Sequence, residues 1–183
     1  MMIGKEMEHE IVLINRAPVL TLWAAVVAEQ LGYDHEAALS LGKAVAGLNA
    51  LSKGRNLGIY KPAEPEEKPP VKKEKPVGII PVELLGRLVP AKDFGEGLRA
   101  IEKDRPVGPD GVRRYLEEKF GDALADVVKA MKVLAESLSP PDLSVKAFSL
   151  YERFRPAIPD GVRGWGAKGQ LDLQRIRSLA KKT

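Results

Sequence analysis

Residues 61–76 divide this chain more sharply than any other stretch of its sequence. The segment contains five prolines, five lysines and four glutamates, and only two of its residues are apolar. A segment of this composition cannot bury enough apolar surface to offset the entropy of ordering its backbone. The sequence therefore predicts a flexible linker at 61–76, which joins an N-terminal module at 1–60 to a C-terminal unit at 77–183.

Helical signals dominate the N-terminal module. Pro18 suits the start of a helix, and the apolar residues that follow it recur at helical spacing until Gly32. Asp34 is placed to cap a second helix that runs to about Leu51. Ile11–Ile14 is too short to be assigned, since it could form a strand or the entry to a helix.

The C-terminal unit also shows helical patterns throughout. We expect helices at 79–88 and 94–103, and a helix that begins at Asp110. Further helices are expected from Asp122 to Leu138, from 143 to 154 and from 172 to 182. No stretch shows a convincing alternation of apolar and polar residues. The predicted fold class is therefore all-α, with a small N-terminal helical pair joined by the Pro/Lys/Glu linker to a C-terminal helical bundle.

A nine-residue segment occurs twice in the C-terminal unit. Residues 105–113 and 155–163 are identical at seven of nine positions, and an aromatic residue follows two positions later in both copies. The shared Pro-Asp-Gly forms a stiff turn, because Pro fixes φ, Asp accepts from nearby backbone amides and Gly tolerates positive φ. The first copy continues as a helix, whereas the second runs into the glycine-rich segment 164–169. Duplication and convergence on one helix-entry turn both account for this pattern.

The positive charge of the chain is concentrated near the second copy. Residues 146–183 hold nine Lys or Arg and three Asp or Glu, while the whole chain carries a net charge of +4. Glycine lets backbone amides approach a phosphate, arginine binds one bidentately, and an aromatic ring can stack on a base. These residue types predict a basic C-terminal site for an anion or nucleic acid, formed by Arg163, Trp165, Lys168, Arg175 and Arg177 and extended by Lys53 and Arg55. A structural alternative remains open, in which the tryptophan packs in the core and the arginines are solvated or pair with glutamates.

The second helix of the N-terminal module is rich in small residues. Its interior contains Gly42, Ala46, Gly47 and Ala50, and a helix glycine costs about 1 kcal/mol relative to alanine. Such a cost usually reflects close approach of another backbone, which the first helix or a second subunit could supply. A short Gly-containing turn also precedes DNA-reading helices, but few basic or amide side chains lie on this one. We therefore predict a packing or dimer seam at these four residues, and we expect a homo-oligomer.

Several classes of chemistry are disfavoured by composition. The chain has no cysteine, and its two histidines match no metal-binding spacing. No serine or threonine lies in a nucleophile-elbow context. We therefore predict no catalytic residues, no metal and no cofactor, although catalysis by arginine, lysine and backbone groups alone remains open. The polar first residues and the lack of a long apolar run predict a cytoplasmic protein with no membrane span, and the scarcity of Asn and Gln gives a thermophile-like composition.

Three functional hypotheses follow. The first is a non-catalytic helical binding protein whose basic C-terminal region contacts nucleic acid or another polyanion. The second is a protein–protein interaction or assembly module that dimerises through the Gly/Ala-rich helix at 37–50. The third is an enzyme that acts on a phosphorylated small molecule, with the glycine-rich segment 164–169 as its anion cradle.

Overall fold

The structure is a computed structural model that describes residues 11–56, 78–95, 97–157 and 168–182. The predicted linker at 61–76 lies outside the described residues. The helices are α1 (Arg16–Gln30), α2 (His35–Asn56), α3 (Pro109–Phe120), α4 (Leu124–Glu136), α5 (Pro140–Phe154) and α6 (Leu173–Lys182), with a 3₁₀ turn at Gly121–Ala123. The strands are β1 (Ile11–Ile14), β2 (Ile80–Leu84), β3 (Arg87–Asp93), β4 (Leu98–Glu102), β5 (Arg105–Pro106) and β6 (Gly169–Asp172).

The predictions of an all-α fold and of a C-terminal helical bundle are wrong. The described residues form two antiparallel sheets as well as helices, so the fold is mixed α/β. One sheet pairs β1 with β6, and the other has four strands in the order β2-β3-β4-β5. The two segments expected to be helical at 79–88 and 94–103 contribute most of the four-stranded sheet. Other expected helices are present, with ends that differ by a few residues.

The hairpin formed by β2 and β3 occupies most of the segment 79–88, for which the sequence predicts a helix. Val82 and Leu84 of β2 are buried while Glu83 between them is exposed, which is the two-residue period of a strand. The run was too short and too apolar for that period to be visible in the sequence. The turn to β3 consists of Leu85 at φ 52° and Gly86 at φ 78°. Two positive φ values suit a tight hairpin turn, but leucine is rare in the first of these positions, so the usual Asn-Gly or Asp-Gly signal is missing.

Helix α1 lies at the centre of the molecule. Every residue from Pro18 to Ala28 is buried, which agrees with a helix that is apolar on all sides. It packs against α2, α3, α4 and α5. Trp23 is fully buried, donates its indole N–H to the carbonyl of Ala147 in α5 at 2.9 Å, and meets the ring of Phe154 edge-on with centroids 5.3 Å apart. These contacts fix the position of α5 on the central helix.

Helix α2 connects α1 to the four-stranded sheet. Asp34 caps it, since its Oδ1 accepts the amide of Ala37 at 2.8 Å. Ser40 in α2 is buried, donates to the carbonyl of Val107 at 2.8 Å and accepts the amide of Ala100 in β4 at 2.7 Å. Because α2 contacts both α1 and the sheet, residues from before 57 and after 77 share one hydrophobic core.

The small sheet brings the two ends of the described chain together. In β1 and β6, Val12 pairs with Leu171 and Ile14 with Gly169. On the other side of β6, Gln170 exchanges two backbone hydrogen bonds with Ala157, at 3.0 and 3.1 Å. Strand β1 and Ala157 therefore lie on opposite sides of β6, and the start of α1 lies beside the end of α5.

Candidate functional site

The end of α5 carries two arginines and receives two more. The helix ends at Phe154 because Arg155 precedes a proline and adopts an extended ψ of 156°. Arg153 is exposed and Arg155 is half-buried. Arg16, the first residue of α1, donates its Nε–H to the carbonyl of Pro156 at 2.9 Å, and Arg175 of α6 donates its Nε–H to the carbonyl of Arg153 at 3.0 Å. We call Arg16, Arg153, Arg155 and Arg175 the arginine cluster.

The two Nε bonds have a structural role. The last carbonyls of a helix have no partner within the helix and attract positive charge. Arg175 donates to one of them, the carbonyl of Arg153. Arg16 donates to the carbonyl of Pro156, two residues beyond the end of the helix. Each bond uses one of the five N–H donors of a guanidinium. The terminal Nη groups of both arginines have no hydrogen bond to another described residue.

The arginine cluster is not neutralised by carboxylates in the described part of the chain. Ion pairs among the described residues include Glu29–His35, Lys43–Glu102, Glu36–Arg99 and Asp110–Arg113, and no member of the cluster forms one with another described residue. Burial lowers the pKa of Arg16, and the positive charge of Arg155 lowers it further. The two guanidiniums therefore repel each other in a partly desolvated place, which favours an anion there.

A buried tyrosine adjoins this pair of arginines. Tyr151 is 2% exposed, and its hydroxyl donates to the backbone carbonyl of Arg16 at 3.4 Å. Burial raises the pKa of Tyr151 to about 12, although Arg155 and Arg16 oppose the shift. The phenol is therefore neutral at ordinary pH and adds no negative charge to the cluster, although the carboxylate of Glu152 acts on the same phenol.

The structure places the predicted anion-site residues unequally. Arg175 belongs to the arginine cluster, Arg177 is half-exposed on the same helix, and Lys168 is exposed just before β6. Arg163 and Trp165 lie outside the described residues, as do the side chains of Lys53 and Arg55. Arg16, Arg153 and Arg155 are not among the site residues that the sequence predicts. Only Arg155 has a signal in the sequence, because it is the first residue of the second copy of the repeated segment.

The two glycines of α2 lie against other elements of the same chain. A Cβ added at Gly42 would lie 2.6 Å from the carbonyl oxygen of Thr21 and 3.0 Å from the amide nitrogen of Ala25, so α1 is the backbone that approaches this glycine. Ala46 is buried in the core. A Cβ at Gly47 would meet the carboxylate of Glu102 in β4 at 2.9 Å, while Ala50 is half-exposed. A dimer seam at these four residues stays a prediction.

Two further observations concern the described residues only. No group of three or more His, Asp or Glu side chains within them is arranged to hold a metal ion. None of the helices in these ranges is both long enough and apolar enough to cross a lipid bilayer.

In comparisons with protein families, curated proteins and solved structures, nothing matched this chain. Its function must therefore be argued from the geometry of its surface.

Proposed function

We propose that this protein binds nucleic acid through the phosphate backbone, at the arginine cluster. The observation that carries this proposal is that Arg16 and Arg175 are held by their Nε atoms while their Nη groups have no described partner. A guanidinium oriented in this way has lost part of its rotamer freedom before a ligand arrives. Its remaining donors match the oxygens of a phosphate, which arginine binds bidentately.

Electrostatics supports the same conclusion. Burial lowers the pKa of Arg16, and the positive charge of Arg155 lowers it further, so the charged form of Arg16 is disfavoured at this place. A phosphate bound between the two would replace repulsion with attraction to both. In a partly desolvated place this gain is larger than it would be in bulk water.

An extended ligand fits the cluster better than a single small anion does. Its members come from α1, α5 and α6, and Arg153 and Arg175 are exposed. Lys168, also exposed, precedes β6 next to this region. Several cations on one surface suit a chain of phosphates, each contact displacing a condensed counterion.

A titration with a fluorescent single-stranded oligonucleotide at low salt tests the proposal. The variant R153Q/R155Q should bind roughly 100-fold more weakly than the natural chain, because two charge-assisted contacts are lost. The matched control is K103Q/R114Q, which removes the same charge from two exposed positions on the β4–β5 turn and α3. Inorganic polyphosphate serves as the competitor. Complete displacement of the oligonucleotide at an equal concentration of phosphate groups would mean that the site recognises negative charge alone.

Two outcomes would contradict the proposal. One is no binding at tens of micromolar protein, a concentration at which even non-specific nucleic-acid binding is usually detectable at low salt. The other is an equal loss of affinity in the control variant, which would assign the binding to net charge. Thermal unfolding separates binding from structure. R155Q should unfold at the same temperature as the natural chain or higher, because it removes a repulsive charge.

A further inference from the structure

A cavity lies where the first copy of the repeated segment folds, and no member of the arginine cluster is among its described lining residues. It is a cavity of about 300 Å³ between α2, the β4–β5 turn and the start of α3. Residues 105–115 supply most of its lining, and Lys43 of α2 and Glu102 of β4 complete it. Its size is at the lower end of the range for small-molecule pockets.

The charges at this cavity favour an anion. Lys43 and Arg105 both line it, whereas Glu102 is the one carboxylate among its described lining residues and lies 4.0 Å from the Lys43 ammonium. Arg105 is exposed and forms no ion pair with another described residue. The cavity also faces the start of α3, whose N-cap is Gly108, a residue with no side chain that could cap the first amides of the helix.

The other wall of the cavity is apolar. Val112 is buried in α3, and the ring of Tyr115 is half-buried one turn further on. Burial raises the pKa of Tyr115, so its hydroxyl stays protonated and neutral at ordinary pH. A ligand that fits both walls combines one anionic group with an apolar body.

Gly108 and Gly111 line the cavity, and neither position has a backbone conformation that requires glycine. Gly108 has φ −78° and ψ 132°, values that any residue adopts. Gly111 lies in the first turn of α3, where glycine is a weaker helix former than alanine or leucine. A Cβ added at either position meets no atom within 4 Å. Neither backbone strain nor contact with a described residue requires glycine here, and because Gly111 lines the cavity, a larger side chain there would take up space at its wall.

We propose that this cavity binds a small organic anion, a single carboxylate or phosphate carried on an aromatic ring system. The anionic group would lie between Arg105, Lys43 and the start of α3, and the ring against Val112 and Tyr115. This site is independent of the arginine cluster, so either proposal can fail while the other stands.

The test uses 2-naphthoate and 1-naphthyl phosphate as probes, with the neutral 2-naphthalenemethanol and inorganic phosphate as controls. Binding is followed by ligand-observed NMR and by the chemical shifts of amides in α3. A rigid ligand of this size should bind with a Kd of about 1 mM. The neutral ring and inorganic phosphate should each bind at least about tenfold more weakly, because each lacks half of the contacts. The stronger of the two anionic probes identifies the headgroup.

Two variants locate the binding. G111L should abolish it by filling the cavity, with an unfolding temperature no lower than that of the natural chain, since the added side chain meets no atom and leucine favours the helix. R105Q should weaken the anionic probes and leave the neutral ring unchanged. R153Q/R155Q should bind both probes as the natural chain does. Absence of binding by both anions at millimolar concentration, or unchanged binding in G111L, would overturn the proposal.

Discussion

The contact between α1 and α2 leads to a sharp prediction about one glycine. In G42A the new methyl carbon would lie 2.6 Å from the carbonyl oxygen of Thr21, 3.0 Å from the amide nitrogen of Ala25 and 3.3 Å from its Cβ. The two shortest contacts are to backbone atoms of α1, a helix that is buried on all sides. Neither helix can yield locally, so the pair must separate.

The magnitude follows from two opposing terms. Replacing a helix glycine by alanine gains about 1 kcal/mol of helix propensity. Overpacking a well-packed core costs about 1 to 3 kcal/mol, and contacts to backbone belong at the upper end of that range. We therefore expect G42A to lower the free energy of unfolding by about 1 to 2 kcal/mol.

The matched control is G47A in the same helix. Its methyl carbon would meet a carboxylate oxygen of Glu102 at 2.9 Å, which is the far end of a flexible side chain. Moving this side chain weakens an ion pair with Lys43 that is already 4.0 Å long, and such exposed pairs contribute at most about 1 kcal/mol. The gain in helix propensity should offset this cost, so G47A should be as stable as the natural chain or slightly more stable.

Urea unfolding followed by circular dichroism measures both variants, with the midpoint and the slope fitted separately. The result that would refute this reasoning is a G42A variant as stable as the natural chain, or an equal loss in G47A. The first would mean that α1 does not lie against Gly42. The second would mean that the β4 side chain cannot move.

Two further predictions concern buried polar groups. The folded-state pKa of Tyr151, about 12, lies above the value near 10 in an unfolded chain, so its stabilising effect is complete below pH 10 and is lost as the pH rises towards 12. Two pKa units correspond to about 3 kcal/mol. The variant Y151F should therefore lose less stability between pH 10 and 12 than the natural chain does. The same loss of stability in both proteins over this pH range would contradict the prediction. Replacement of Ser40 by alanine should cost about 1 to 3 kcal/mol in urea unfolding, because the buried amide of Ala100 loses its acceptor; a change below about 0.5 kcal/mol would show that these elements do not meet through the hydroxyl.

The helices were predictable where capping residues and spacing agreed. Asp34 caps α2 as the sequence suggested, and the apolar stripes of α4 and α5 correspond to buried faces. The strands were not predictable in the same way. Two of the hairpin turns begin with Leu85 and Lys103 at positive φ, where glycine, asparagine or aspartate is usual. Their strands are also too short for alternation to stand out in an apolar run.

The candidate site depends on contacts that no local pattern reveals. Arg175 was identifiable because it lies in a basic region of the sequence. Arg16 joins it through a bond to Pro156, 140 residues away, and that bond exists because β1 and residue 157 both flank β6. The pairing of distant strands depends on the whole fold, and a single sequence without a visible strand pattern does not predict it.

The salt dependence of oligonucleotide binding tests the central claim most directly. Four phosphate contacts to a single strand predict a slope of log K against log salt of about −3, so affinity should fall roughly 50-fold between 50 and 200 mM salt. In R153Q/R155Q the slope should become shallower by about 1.5, while K103Q/R114Q should keep the slope of the natural chain. An unchanged slope in R153Q/R155Q would contradict the assignment of the arginine cluster as the phosphate-binding surface.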